Sequence, residues 1–441
     1  MVRVRKITAA LLPLALAIAV SPARTEGAAN PVIFVTVDRK ERGKVIGLEE
    51  QLQTTKTSKA RVVAGKKTEP GTPDDWSVSF RWDDSPPEKE SGENGDKTKP
   101  DPRPAVSAST KDAEKIRRLM LEAAGDSFGE EPGRDWDVAV LEGAETNRIE
   151  VVFPGPQTGI SKARQFRVAR RFVQRLADDR GMAPAQDGKF TASLFGTNVV
   201  GNYDAEGVGY GGSTLLDRAV DDTTLDMRIL PLCPEDIRDG VLEGAAGVMF
   251  PGGSGKAIAK ALRPEGVEKV REFVGRGGGY YGVCAGAYFA NSGLKEYAAL
   301  MPLKHHQPWR KGKGMLKVEL TAEGKKLLGE EFAEFETRYN CGPVFTEMSG
   351  PPPDSPQKPV EVLANFASAV TDKQGVTHEV MIGTPAIIAG GWGKGRVVTV
   401  SPHPESHPKL SVLVARAIAL SLGVAPATVT GSGGGDPVAA P

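Results

Sequence analysis

Short apolar runs of strand length alternate with segments of helical period along most of this chain. Val32–Val37, Val138–Leu141 and Ile149–Phe153 read as strands, and Ala113–Ala124 as a helix. Ser161–Asp179 is a strongly amphipathic helix with Phe166, Ala169, Phe172, Val173 and Leu176 on one face. Its other face carries Arg164, Arg167, Arg171 and Arg175, a row that reads better as a solvated face than as a phosphate strip. From about Thr191 strands and helices alternate more strictly, the signature of a parallel α/β sheet. Asn198–Asp204, Met227–Leu230 and Ala246–Phe250 are predicted strands, and Ser213 caps a helix through Val220. Pro264 opens a helix whose Val267, Val270, Phe273 and Val274 face the sheet, ending at Gly275 and Gly277. Further strands are expected at Leu316–Leu320, Gly342–Phe345, Glu361–Ala364, Ala386–Ala389 and Gly395–Ser401, with a closing helix at Lys409–Leu422.

Composition changes the picture mainly at the ends. Arg3, Arg5 and Lys6 precede the apolar run Ala9–Val20 and small residues near Ser21-Pro22-Ala23, which reads as a secretory signal peptide over residues 1–29. The run is short for a membrane span and contains Pro13, so no stable membrane insertion is expected after cleavage. Residues 30–190 are read as a small α+β module of unknown role, with a Pro-, Glu- and Lys-rich disordered segment near 83–110. Residues 191–423 form the main domain, and residues 424–441 a disordered tail. The formal net charge of zero gives no sign of a nucleic-acid partner. Three cysteines, Cys233, Cys284 and Cys341, are too few for a disulfide framework; Cys233 with Cys341 is one possible pair and two free thiols the other reading.

The chemistry gathers around Gly277-Gly278-Gly279-Tyr280-Tyr281-Gly282-Val283-Cys284-Ala285-Gly286-Ala287-Tyr288. A helix, a glycine cluster, a short apolar strand and a small-residue turn with Cys284 at its apex describe a nucleophile elbow. Gly282 and Gly286 flank the cysteine where a Cβ has no room, and the next helix turns its first amides toward the sulfur. A cysteine nucleophile needs a base, and the base needs an orienting group. His403 and Glu405 stand in an extended His-Pro-Glu just after the last predicted strand, where both side chains can leave on one side. His305, His306 and His407 are weaker candidates. No cluster has metal-ligand spacing, so neither a metal nor a cofactor is expected. The Gly207–Gly212 turn fits a dinucleotide motif only loosely, whereas Gly252-Gly253, at the end of the Ala246–Phe250 strand, can aim a backbone N–H at a developing oxyanion.

These pieces in order resemble the class I glutamine amidotransferase-like superfamily, and within it the biotin-protein ligase N-terminal domain family. The likeness is carried by Pro234-Glu235-Asp236-Ile237, Phe250–Gly255, the Gly277–Tyr288 stretch, Asn340–Pro343, Gly393–Val397 and Ser401–Glu405, and spans roughly residues 195–422. It implies a flavodoxin-like doubly wound parallel sheet. It further implies Cys284 as nucleophile, His403 as general base, Glu405 as orienter, Gly253 and Ala285 as backbone oxyanion donors, and Tyr288 and Asn340 as pocket residues. Where it would place a glycine, this chain has Cys341. No synthetase domain and no ammonia-accepting partner is recognisable in the chain. The expectation is therefore an exported cysteine hydrolase acting on a small-molecule or peptide amide, the alternative a non-catalytic ligand-binding module with the same fold.

Overall fold

The computed structural model describes residues 32–38, 40–41, 43–54, 60–62, 75–83, 105–110, 113–128, 138–142, 147–154, 160–180, 189–209, 211–306, 312–348, 350–372 and 374–432. The leader at 1–29 and most of the segment near 83–110 lie outside the described residues.

The N-terminal module runs β1 (Ile33–Val37), α1 (Leu48–Thr54), β2 (Ala60–Val62), β3 (Trp76–Asp83), β4 (Ala105–Thr110), α2 (Ala113–Phe128), β5 (Val138–Glu142), β6 (Arg148–Pro154) and α3 (Lys162–Asp179). Its six strands are ordered β2-β1-β3-β6-β4-β5. Only the β4–β6 pair is antiparallel. The module is thus an interleaved, mainly parallel α/β unit rather than the expected α+β one. The expected disordered segment is also too long at both ends, because Asp83 closes β3 and Ala105–Thr110 pairs between β5 and β6.

The second domain continues with β7 (Val199–Tyr203), α4 (Gly212–Asp221), β8 (Arg228–Leu232), α5 (Pro234–Arg238), β9 (Gly247–Phe250), α6 (Gly255–Gly275), β10 (Gly279–Val283) and α7 (Ala285–Ala290). It ends with β11 (Leu303–His305), β12 (Lys313–Leu320), α8 (Ala322–Leu328), β13 (Glu334–Asn340), β14 (Phe345–Met348), β15 (Glu361–Phe366), β16 (Pro385–Trp392), β17 (Gly395–Val400) and α9 (Ser411–Leu422). Nine of these strands form one sheet, β13-β12-β15-β16-β17-β10-β9-β7-β8. From β17 to β8 every pairing is parallel, and from β17 to β13 every pairing is antiparallel. The alternation rule accounts for the first half, where each parallel step is bridged by helical chain. Val248, Phe250, Tyr280 and Val397 pack on one face with α5, α6 and α7, while Met249, Tyr281, Val283 and Val398 pack on the other with α4, α8 and α9. The sheet is therefore covered on both sides.

Local signals hold at Pro264, where α6 is two helices joined through a non-helical Arg263. Gly342–Val344, expected in a strand, is loop, and the strand begins at Phe345. Residues 425–432 are no loose tail, since Val429 is buried and Thr430 exchanges hydrogen bonds with Thr224. Among the described residues no helix is long and apolar enough to cross a membrane.

The two units are joined by more than the chain. The segment before α1 lies along the edge of the large sheet, with Ile46 N–H donating to Ile229 O and Ile229 N–H to Lys44 O at 2.8 and 2.9 Å. Lys44 Nζ then donates to the carbonyls of Val220, Thr223 and Leu225 at 2.7–2.9 Å.

Candidate active site

Three chain segments far apart in sequence meet at the C-terminal ends of the parallel strands. Cys284 follows β10 directly and adopts φ 46°, ψ −94°, a backbone conformation that L residues rarely hold. Its N–H donates to Val400 O at 2.8 Å, and its carbonyl accepts from Tyr288 N at 2.9 Å, so strand and helix pull the residue into the turn from both sides. The flanking glycines are a packing requirement. A Cβ on Gly286 would lie 2.2 Å from Phe250 O, and one on Gly282 2.6 Å from the Gly286 carbonyl carbon. Cys284 thus stands at a tight strand-to-helix turn between two glycines that leave no room for a Cβ.

β17 delivers the second segment. His403 N–H donates to Arg338 O at 2.7 Å, which fixes the loop after β17 against the end of β13. The imidazole Nδ1 and Glu405 Oε1 are 2.8 Å apart, and the glutamate side chain is all but buried. The ring and the Cys284 side chain share the space above Gly252, where an added Cβ would sit 2.5 Å from His403 Cε1 and 3.4 Å from Cys284 Cβ. Burial pushes His403 down, but the charges of Glu405 and Cys284 more than offset it and lift the ring to about 10. Among the described residues His403 Nε2 has no hydrogen-bond partner, and the Cys284 thiol donates to Asn340 O at 3.6 Å. Glu405 Oε2 and the Tyr281 hydroxyl behind it are also buried without a hydrogen-bond partner among the described residues.

The third segment is the turn after β9. Gly253 stands at φ 145°, and a Cβ there would come within 1.9 Å of Gly207 O. Gly209 N–H donates to Gly252 O at 2.8 Å and Ser254 N–H to Gly207 O at 2.6 Å. These two bonds flank Gly253 and use neither its N–H nor its carbonyl.

The remaining wall comes from α7 and β13. Tyr288 donates its hydroxyl to Cys341 O at 3.2 Å and stands edge-on to His305, ring centroids 4.8 Å apart. Asn340 contributes its carbonyl to the cysteine contact. His305 accepts from the Asn291 amide at 3.3 Å, and burial together with His306 and Lys256 lowers it to about 4, so the ring is neutral. Cys341 adopts φ 55°, which explains why the resemblance places a glycine there. Its thiol turns to Gly312 O at 3.4 Å, while Cys233 donates to Asp236 Oδ2 at 3.2 Å, and all three cysteines are free. His407 ends the short turn Pro404–Ser406 that carries Glu405. Among the described residues no group of three or more His, Cys, Asp or Glu could hold a metal ion.

The arginine row of α3, expected as a solvated face, is buried along its first half. Arg164, Arg167 and Arg170 are only 4–5% exposed. Arg167 pairs with Asp236 and Asp239 at 2.8 and 2.7 Å, and Arg170 with Asp236 at 2.7 Å. Arg164 pairs with Glu235 at 3.0 Å and Glu206 at 2.5 Å. The expected solvated face is a buried ionic seam between the two units. Arg171 and Arg175 of the same row do reach the surface, against Asp126 and Glu122 of α2.

Residues 239–299 and 308–419 match the model of the family described as biotin-protein ligase, N terminal. This part of the chain therefore carries the likeness expected from its motifs. No curated protein matches the chain. Similar solved structures include the cytoplasmic protein STM1381 from Salmonella typhimurium, at 12% identity and TM-score 0.36 over 51% of this chain and 98% of that one. Others are a thua-like protein from Parabacteroides merdae (13%, 0.36, 52% and 90%) and PurLQS from Thermotoga maritima (13%, 0.34, 51% and 97%).

Proposed function

We propose that this biotin-protein ligase N-terminal type domain is a cysteine-dependent amide hydrolase in which Cys284, His403 and Glu405 act in sequence. The observation that carries the reading is the strained cysteine at a strand-to-helix turn beside a buried histidine already bound to a carboxylate. In the proposed cycle the proton of the Cys284 thiol passes to His403 Nε2 before the attack, leaving a charged ring beside a thiolate, and the sulfur then adds to the amide carbonyl, whose π electrons move onto oxygen. The oxyanion is held by the N–H groups of Gly253 and Ala285. Its collapse breaks the C–N bond, the amine leaves with the proton from His403, and a thioester remains on Cys284. Water then adds with His403 as base, and collapse frees a carboxylic acid and restores the thiol. Glu405 holds the ring through Nδ1 and stabilises its charged form. Tyr288 and Asn340 border the substrate space.

The parallel strands, numbered along the chain, stand in the order 2-1-3-4-5, which supports a flavodoxin-like reading with the site at the carboxyl ends. The basic and apolar leader supports export, a claim that recovery of native protein still starting at Met1 would contradict.

An activated ester tests the chemistry without knowledge of the natural substrate. Mixed with p-nitrophenyl acetate, the wild-type chain is expected to release a burst of about one nitrophenolate per molecule and to carry an acetyl group on Cys284. Cys284→Ala is expected to give neither. No burst and no adduct in the wild type would favour the alternative, a ligand-binding module that keeps the fold without the reaction.

A further inference from the structure

We propose that Arg164, on the N-terminal module, is a positioning residue for the oxyanion turn of the second domain, acting through Glu206 on the loop that carries Gly253. The proposal rests on the reading of Gly253 as an oxyanion donor.

The chain of contacts is short. Arg164 is nearly buried, and its NH2 group donates to Glu206 Oε2 at 2.5 Å. The neighbouring residue, Gly207, accepts Ser254 N–H at 2.6 Å, and Gly209 donates to Gly252 O at 2.8 Å. Gly253 lies between these two bonds. The same loop is held at its base, where Asp204 accepts Ala163 N–H at the start of α3 at 3.2 Å and Ser213 Oγ at 2.7 Å. Tyr203 ties the loop from inside through its hydroxyl, which donates to Glu206 O at 2.9 Å. α3 is therefore bound to the loop twice, at Asp204 through a backbone N–H of its first turn and at Glu206 through a guanidinium. That guanidinium is anchored to the domain independently, by Glu235 at 3.0 Å. An arginine suits this post because its planar fork can hold two carboxylates at fixed directions, which a lysine ammonium cannot. The Arg164 side chain touches no candidate reacting atom, so its effect must pass through backbone placement. Oxyanion donors work only when aimed at the place where charge develops, and losing one costs about 100- to 1,000-fold in rate. Loosening rather than removing it should cost less.

The test compares two reactions of the same sulfur in the full-length chain. Acylation by p-nitrophenyl acetate forms a C–S bond through an oxyanion and expels p-nitrophenolate. Alkylation by iodoacetamide forms a C–S bond at a saturated carbon and expels iodide, with no oxyanion. Arg164→Ala and the milder Glu206→Gln, on a half-exposed carboxylate, are expected to slow acylation roughly 10- to 100-fold, below the cost of a lost donor. Alkylation should stay within about twofold of wild type, because its transition state makes no use of the donor. Arg164→Lys should recover part of the acylation rate. Parallel slowing of both reactions would reduce Arg164 to a structural cation, and unchanged acylation in Glu206→Gln would overturn the proposal outright. A wild-type chain with no burst would instead contradict the acyl-transfer reading on which the proposal stands.

Discussion

At the scale of single residues, the site is built by what is missing as much as by what is present. Gly252 is the bed on which His403 and Cys284 meet, and the sequence marked it only as half of a glycine pair. An alanine there would press its Cβ to 2.5 Å from His403 Cε1. The φ of Gly252 is not in the left-handed region, so the backbone tolerates alanine and the damage falls on the ring. Gly252→Ala is expected to keep most of its stability, losing about 1–3 kcal/mol from overpacking, yet to lose acylation at least 100-fold. Melting curves and burst kinetics on one preparation separate the two; normal acylation would show that the ring is not held as described. Cys284, His403 and Glu405 were legible because each sits in a short local pattern. The carbonyl of Asn340 and the backbone bond to Arg338 were not, because a backbone contact leaves no trace in residue type.

At the scale of elements, the helices and parallel strands around the elbow could be read from period and punctuation, down to the break before Pro264. The α3 face could not. Its arginines look solvated within their own helix, and their partners Glu235, Asp236 and Asp239 belong to a short turn about seventy residues on. The signal the sequence offers is the acidic Pro234-Glu235-Asp236 motif, which also carries the family likeness. Asp236 is fully buried between Arg167 and Arg170, whose charges hold its carboxyl below the usual range against the opposing pull of burial. Removing it strands two buried guanidinium groups. Asp236→Ala is expected to cost about 3–5 kcal/mol in urea unfolding. Asp239→Ala, at the half-exposed end of the same pairing, should cost under about 1 kcal/mol. Equal, small losses at both positions would show that the seam contributes little.

At the scale of the whole molecule, the alternation of strands and helices pointed to a parallel sheet and described only half of it. The antiparallel strands β16, β15, β12 and β13 are bounded by less regular signals, and β13, with every second residue exposed, was not anticipated at all. Yet β13 closes the site, because it brings Arg338 and Asn340 to His403 and Cys284. The N-terminal module, opaque in sequence, extends the large sheet at its far edge through residues 44–46 and grips the loop behind Gly253 through α3. The candidate site thus draws on β9, β10, β13 and β17, with the charged His403 ring beside Cys284.

That pairing can be measured directly by following the rate of Cys284 alkylation by iodoacetamide against pH, in wild type and in His403→Ala. His403 is lifted to about 10, so at neutral pH the ring bears the proton and stands as a cation beside the Cys284 sulfur. At pH 7 His403→Ala is expected to slow alkylation at least about tenfold, because the sulfur loses the charged ring that favours its reactive form. Equal alkylation rates in the two proteins across the pH range would contradict the account.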